Sequence, residues 1–206
     1  MPNIIIGISG PSGSGKSLFS NSISQNFNLN EVAIISEDSY YKDRSDLTFK
    51  DRSIQNYDHP DAFEHDLLSK HLVDLKSNKS IKVFQYDYTK HLRRTTQTKV
   101  SPCSVIILEG ILLLVDIKIR NLIDIKIYMD SPLDICLSRR IYRDSIERGR
   151  DLASVITQYN NYVRPMYFKF IEPSRKYADI IVPKGGKNKI AVDIIRAKIA
   201  KLIDNK

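Results

Sequence analysis

The chain has 206 residues, of which 42% are apolar and 27% charged, and it carries a net charge of +8. That length suits one generous domain with a filled interior, and no run nears the roughly 20 apolar residues of a membrane span, so membrane-spanning, low-complexity and wholly disordered classes are excluded. The basic surplus suits anionic partners (nucleic acid, anionic lipid or phosphate-bearing small molecules) and does not choose among them.

In chain order, Met1-Pro2-Asn3 carries no basic region or cleavage site, and a cytoplasmic protein is expected. Short Ile- and Val-rich runs at residues 3–9, 32–36, 105–108, 125–129 and 180–182 predict five buried parallel strands. Leu18, Phe19 and Ile23 mark a first helix. The polar residues 42–55 predict a loop. Phe63, Leu67, Leu68, Leu72 and Leu75 mark a second helix, with Asp61 and Glu64 placed as a capping box. Residues 81–99 carry Phe84, Tyr86 and Tyr88 at period two, then Thr95, Thr96 and Thr98, which predicts a β-hairpin inserted between the second and third strands. Leu133, Cys136, Leu137 and Ile141 mark a third helix. A long fourth runs from Leu152 to Phe170 with a kink at Pro165, and a last one follows Gly185-Gly186. Cys103 and Cys136 lack metal-type spacing and read as thiols in a reducing compartment. Strand–helix alternation of this kind predicts an α/β layered fold around a parallel sheet.

The motif Gly10-Pro11-Ser12-Gly13-Ser14-Gly15-Lys16-Ser17 follows the first strand and opens the first helix. Its glycines let the backbone turn its N–H groups toward a phosphate, and the helix N-terminus adds partial positive charge. Lys16 then reaches the β- and γ-phosphates of ATP or GTP, and Ser17 offers a hydroxyl to Mg²⁺.

Carboxylates narrow the chemistry. Asp38 and Glu109 follow the second and third strands directly, and the carboxyl ends of parallel strands line one crevice. Asp38 fits either a turn cap or a base beside the phosphates, whereas Glu109 before Gly110 favours burial toward the site. Asp58, just before His59-Pro60, fits a surface turn first and a pair of sugar hydroxyls second. Arg139, Arg140, Arg143, Arg148 and Arg150 read as a charged face except that, at about 100° per residue, Arg140 falls into the apolar stripe and Arg143 borders it. A charge aimed at the core side needs a partner. Arg148 and Arg150 flank Gly149, which suits a lid over residues 139–150.

Taken together, the segments Gly10 to Ser17, Asp38-Ser39-Tyr40-Tyr41, Tyr57-Asp58-His59-Pro60, Tyr86-Asp87-Tyr88 with His91, Leu108-Glu109-Gly110-Ile111-Leu112, Arg139 to Arg150, Gln158-Tyr159 and Tyr177-Ala178-Asp179-Ile180 resemble the phosphoribulokinase/uridine kinase family over nearly the whole chain. The resemblance implies a P-loop NTPase-type three-layer α/β sandwich with a mostly parallel five-stranded sheet, one kinase domain over residues 1–206 with a hairpin insertion near 80–100. It implies phosphorylation of the 5′-hydroxyl of uridine and cytidine by ATP or GTP. Asp38 is then the general base. Lys16, Arg143 and Arg148 hold phosphates, and Ser17 and Glu109 hold Mg²⁺ with Asp38 near it. Asp58, Arg140 and Gln158 bind ribose hydroxyls, while Tyr57, Tyr86, His91 and Arg150 surround the pyrimidine ring. On its residues alone His91 is an exposed hairpin histidine. The resemblance also implies a homotetramer with feedback inhibition by CTP or UTP and no nucleic-acid or membrane partner. A kinase for another small alcohol on the same fold, and an ATP-switched nucleic-acid-binding module, are the competing expectations.

Overall fold

The computed structural model describes residues 3–204; Met1 and Pro2, the start of the stretch read for a leader, lie outside the described residues, as do Asn205 and Lys206. Five strands form one wholly parallel sheet: β1 (Ile4–Ser9), β2 (Val32–Ser36), β5 (Val105–Glu109), β6 (Ile125–Asp130) and β7 (Ile180–Pro183). Their order across the sheet is β2-β5-β1-β6-β7. The register sets Ile4 against Val105 and Ile6 against Ile125. Side chains alternate across each strand. Ile5, Ile106 and Leu108 therefore enter one core, and Ile6, Ile8, Val105 and Ile107 the other. The strands predicted from Ile and Val content match these to within a residue at either end.

Helices cover both faces. α1 (Lys16–Ser24) and α9 (Lys189–Asp204) pack together, with Phe19, Ile23, Val192, Ile195 and Ile199 in the second core. α3 (His65–Lys76) lays Leu68, Leu72 and Leu75 on the opposite face. α4 (Ile117–Leu122), capped by the Asp116 carboxylate on the Ile119 N–H at 2.9 Å, packs beside α3. α5 (Leu133–Ile146) carries Arg139, Arg140 and Arg143, and Arg148 and Arg150 follow it.

Three local expectations are corrected. The capping box does not form, because a short 3₁₀ turn over Pro60–Ala62 separates Asp61 from α3. There the His59 ring accepts the Asp61 N–H at 3.2 Å, and Glu64 bonds Arg93 at 2.6 Å instead. Residues 42–55 are not all loop: α2 (Phe49–Ser53) forms there, with the Thr48 hydroxyl accepting the Asp51 N–H. The long fourth helix is α6 (Leu152–Gln158), α7 (Arg164–Met166) and α8 (Glu172–Ser174), joined by π-helical turns over Tyr159–Val163 and Tyr167–Ile171. Pro165 and Pro173 each fall in the first turn after a π-turn, where their missing N–H groups are tolerated.

The predicted hairpin is present as β3 (Ile81–Asp87) and β4 (Leu92–Val100), a separate antiparallel two-stranded sheet. The Asp87 carboxylate accepts the N–H groups of Thr89 and Lys90 at 3.0 and 3.2 Å and so builds the turn. His91 closes it with φ of 52°, a left-handed conformation rare for a residue with a Cβ. The Arg93–Glu64 pair and a bond from Arg52 to the Lys90 carbonyl at 3.1 Å tie the hairpin to α3 and to α2.

Candidate active site

The glycine loop leaves β1 and enters α1, as its motif requires. Gly15 precedes α1 with φ of 93°, which only glycine adopts without strain. Lys16 is buried, and its ammonium donates to the carbonyls of Gly10 and Pro11 at 2.9 and 3.0 Å. Burial pulls its pKa below the ordinary lysine value, and the nearby Glu109 and Asp38 oppose that. A cavity of about 620 Å³ opens over the loop. Ser12, Gly13, Gly15, Lys16 and Ser17 line it, together with Asp38, Glu109, Arg143 and Arg148. The predicted loop residues Gly10, Pro11 and Ser14 are not on that wall: Gly10 and Pro11 hold Lys16, and Ser14 is fully buried beneath.

The Ser17 hydroxyl donates to Glu109 Oε2 at 2.8 Å. Burial pushes the Glu109 carboxyl above its ordinary value, Lys16 lowers it and Asp38 raises it again. These hard oxygens match the donor set of a small divalent cation that keeps most of its waters. Beneath them lies Glu37, fully buried, which composition did not single out. Its carboxylate accepts the Leu112 N–H at 2.9 Å and bonds the His65 ring at 2.9 Å. Gly110 packs directly on that carboxylate, and any Cβ there would collide with it. The turns that carry Asp38 and Glu109 are thereby fastened to one another.

A second cavity, of about 80 Å³, adjoins the first. Tyr57, Asp58, Tyr86, His91, Arg140, Arg150 and Gln158 all line it, so every residue expected to meet the acceptor comes to one place. Asp38, Tyr88, Arg143 and Arg148 line both cavities. Asp58 is buried rather than on a surface turn, and burial pushes its carboxyl up while Arg140 pulls it down. His91 stacks on Tyr57 with ring centroids 5.0 Å apart and planes 16° apart. Its pKa falls to about 4, through burial first and then the charges of Arg150 and Arg148, so the ring is neutral at pH 7.

Four of the five arginines meet on a residue that the sequence pattern did not mark, while Arg139 reaches the Gly13 carbonyl. Asp144 is fully buried, and its carboxylate lies 2.8 Å from Arg143, 3.1 Å from Arg148, 3.5 Å from Arg140 and 3.6 Å from Arg150. Burial alone would raise its carboxyl pKa; Arg143, Arg140 and Arg148 outweigh that and hold it below the ordinary value. Gln158 Oε1 accepts from Arg140 and Arg150 at 2.7 and 2.6 Å, and Arg140 also bonds the Ser12 hydroxyl of the glycine loop at 2.9 Å. The core-side charge expected of Arg140 is thus real, and its partners belong to the protein. Tyr88, marked in the sequence only as a hairpin aromatic, has a polar role as well: its hydroxyl donates to Asp38 Oδ2 at 2.8 Å, and the Arg148 guanidinium sits 3.9 Å from its ring centroid.

A phosphate cradle between the first strand and helix of a parallel sheet, with an adjoining pocket and arginines over both, defines a P-loop kinase. The family model described as phosphoribulokinase/uridine kinase matches residues 5–191. A uridine kinase of Haemophilus ducreyi is 53% identical over 207 residues, covering 98% of this chain and 95% of that protein. One from Proteus mirabilis is 51% identical over 204 residues, covering 97% and 96%. The solved structure of phosphoribulokinase from Rhodobacter spheroides shares the fold with a TM-score of 0.65 at 19% identity, covering 88% of this chain and 70% of that one. The chain belongs to the phosphoribulokinase/uridine kinase family, and it is a phosphotransferase.

Proposed function

We propose that this kinase transfers the γ-phosphoryl group of ATP or GTP to the 5′-hydroxyl of uridine and cytidine, giving UMP and CMP for pyrimidine salvage. The observation that carries the reading is Asp38, which lines both cavities. A carboxylate at that junction can accept the 5′-hydroxyl proton as the oxygen attacks in line. The acceptor pocket supports a nucleoside over a sugar phosphate. Tyr57 and Tyr86 supply flat aromatic faces for a ring, neutral His91 supplies a hydrogen bond to its edge, and Asp58 with Gln158 suits vicinal hydroxyls. The relatives at 51% and 53% identity are uridine kinases, which supports the same acceptor.

Lys16, Arg143 and Arg148 hold the phosphates and meet the charge that spreads over the transferring group. Ser17 and Glu109, with Asp38 beside them, would hold Mg²⁺, which when bound would supply positive charge against the phosphates. The whole chain acts as one kinase domain, with residues 139–150 as a lid. On the resemblance that its motifs carry, the enzyme is a cytoplasmic homotetramer with feedback inhibition by CTP or UTP.

A panel of nucleosides and other alcohols with ATP and Mg²⁺, read by product mass, tests the reading. UMP and CMP are the expected products. Phosphorylation of ribulose 5-phosphate or pantothenate in preference to uridine would overturn it.

A further inference from the structure

Tyr88 stands where the two cavities meet, and three contacts converge on it. Its hydroxyl donates to Asp38 Oδ2 at 2.8 Å. The Arg148 guanidinium covers its ring at 3.9 Å from the centroid. Tyr86 packs edge-on at 5.3 Å and fixes its plane. Arg148 in turn pairs with the buried Asp144 at 3.1 Å. One side chain therefore joins the arginine segment at the end of α5 to the carboxylate at the junction, along Asp144, Arg148, Tyr88 and Asp38.

A tyrosine that merely walls a ring pocket would offer its face to the ligand and leave its hydroxyl to water. Here Arg148 takes a face and Asp38 takes the hydroxyl. We propose that Tyr88 is a positioning residue, which fixes the Asp38 carboxylate in one rotamer and couples that hold to the seating of Arg148. With Oδ2 committed to Tyr88, Oδ1 is left for the acceptor hydroxyl. A bond to an ionised acceptor is short and directional, and a cation on an aromatic face is held without a second carboxylate. Both matter because a displacement of about 1 Å in a reacting group can cost about 100-fold in rate. The inference rests on the reading of Asp38 as the base.

The test compares Tyr88→Phe and Tyr88→Leu in the full chain, with steady-state turnover of uridine and ATP and separate titration of a fluorescent ATP analogue. Tyr88→Phe keeps the ring and deletes the hydroxyl. It should lower kcat about 10- to 100-fold while both KM values stay within about twofold. Tyr88→Leu also removes the platform for Arg148. It should lower kcat further, raise the KM for ATP several-fold and weaken the analogue. In an Asp38→Asn background, Tyr88→Phe should cost nothing more, because the group it positions is gone. Wild-type kcat in Tyr88→Phe, or a raised uridine KM at unchanged kcat, would overturn the inference and leave a wall residue. A wild-type protein that binds the ATP analogue yet turns over no pyrimidine nucleoside would remove the proposed function and this inference together, so the wild-type assay tells the two failures apart.

Discussion

The donor cradle and the acceptor pocket share a wall but are made of different materials. The cradle is backbone: consecutive residues 10–17, pinned by left-handed glycines and by the carbonyls that hold Lys16. The pocket is side chain, gathered from the hairpin, from the turns after β2 and before α3, and from α5 and α6. Each of its members depends on another. Asp144 orients the arginines, Gln158 spaces two of them, and Tyr88 holds Asp38. A backbone cradle binds whatever polyphosphate fits, whereas a pocket of interlocked side chains discriminates and fails by pieces.

That contrast can be broken at several points. The largest effect is expected from Asp38→Asn, which should lower uridine turnover about 100- to 10,000-fold while leaving ATP affinity nearly intact, measured by steady-state rates and nucleotide titration. Retained turnover would reduce Asp38 to a cation ligand or a structural turn. Next comes Asp144→Asn. It strands buried arginines and should destabilise the fold by about 3–5 kcal/mol in urea unfolding at neutral pH. Because the folded Asp144 carboxyl titrates below its ordinary value of 3.8, its contribution is complete above that pH and is lost as the pH falls through the lower folded value. The gap between wild type and variant should therefore close in acid, and a pH-independent gap would point to packing alone.

Smaller effects sharpen the same contrast. His91→Ala should raise the KM for uridine about tenfold with little change for ATP, since a hydrogen bond to the ring edge is lost in the pocket and not in the cradle. Equal losses for both substrates would place His91 outside the ring site. The histidine also leaves a pH signature. Its folded value near 4 lies below the ordinary 6.5, so the unfolded chain takes up the proton first, and the fold loses stability as pH falls from 6.5 toward 4. His91→Asn should flatten that slope in thermal melts. Least of all, Lys118→Ala removes an exposed ion pair with Asp66 at 2.7 Å and should leave the melting temperature unchanged, in contrast to Asp144.

The same division explains what could be read from the sequence. The cradle is local and has a fixed spacing, so Gly10 to Ser17 announced itself, and the strands followed from runs of Ile and Val. Arg140 was legible as a charge on the wrong side of a helix. Asp144 was not, because an acidic residue among arginines reads as ordinary surface pairing until the fold buries it. The bond from Tyr88 to Asp38 spans 50 positions and that from Glu37 to Leu112 spans 75, and no local pattern encodes either. The failed capping box has a local cause: proline at position 60 opens a 3₁₀ turn, which shifts the start of α3 beyond Asp61. Around Pro165, where the sequence suggested a kink, π-turns flank the short α7.

One approach of backbone to backbone sets how near the glycine loop and α5 can lie. Gly13 lies so near the Cys136 carbonyl that a methyl group would not fit between them. Any side chain at position 13 would push the N-terminal half of α5 off the floor of the cradle, and with it the helix that carries Arg140 and Arg143. The contrast with Gly149 is plain: there φ is 63° but the space around is open, so the backbone conformation alone, and no neighbour, favours glycine.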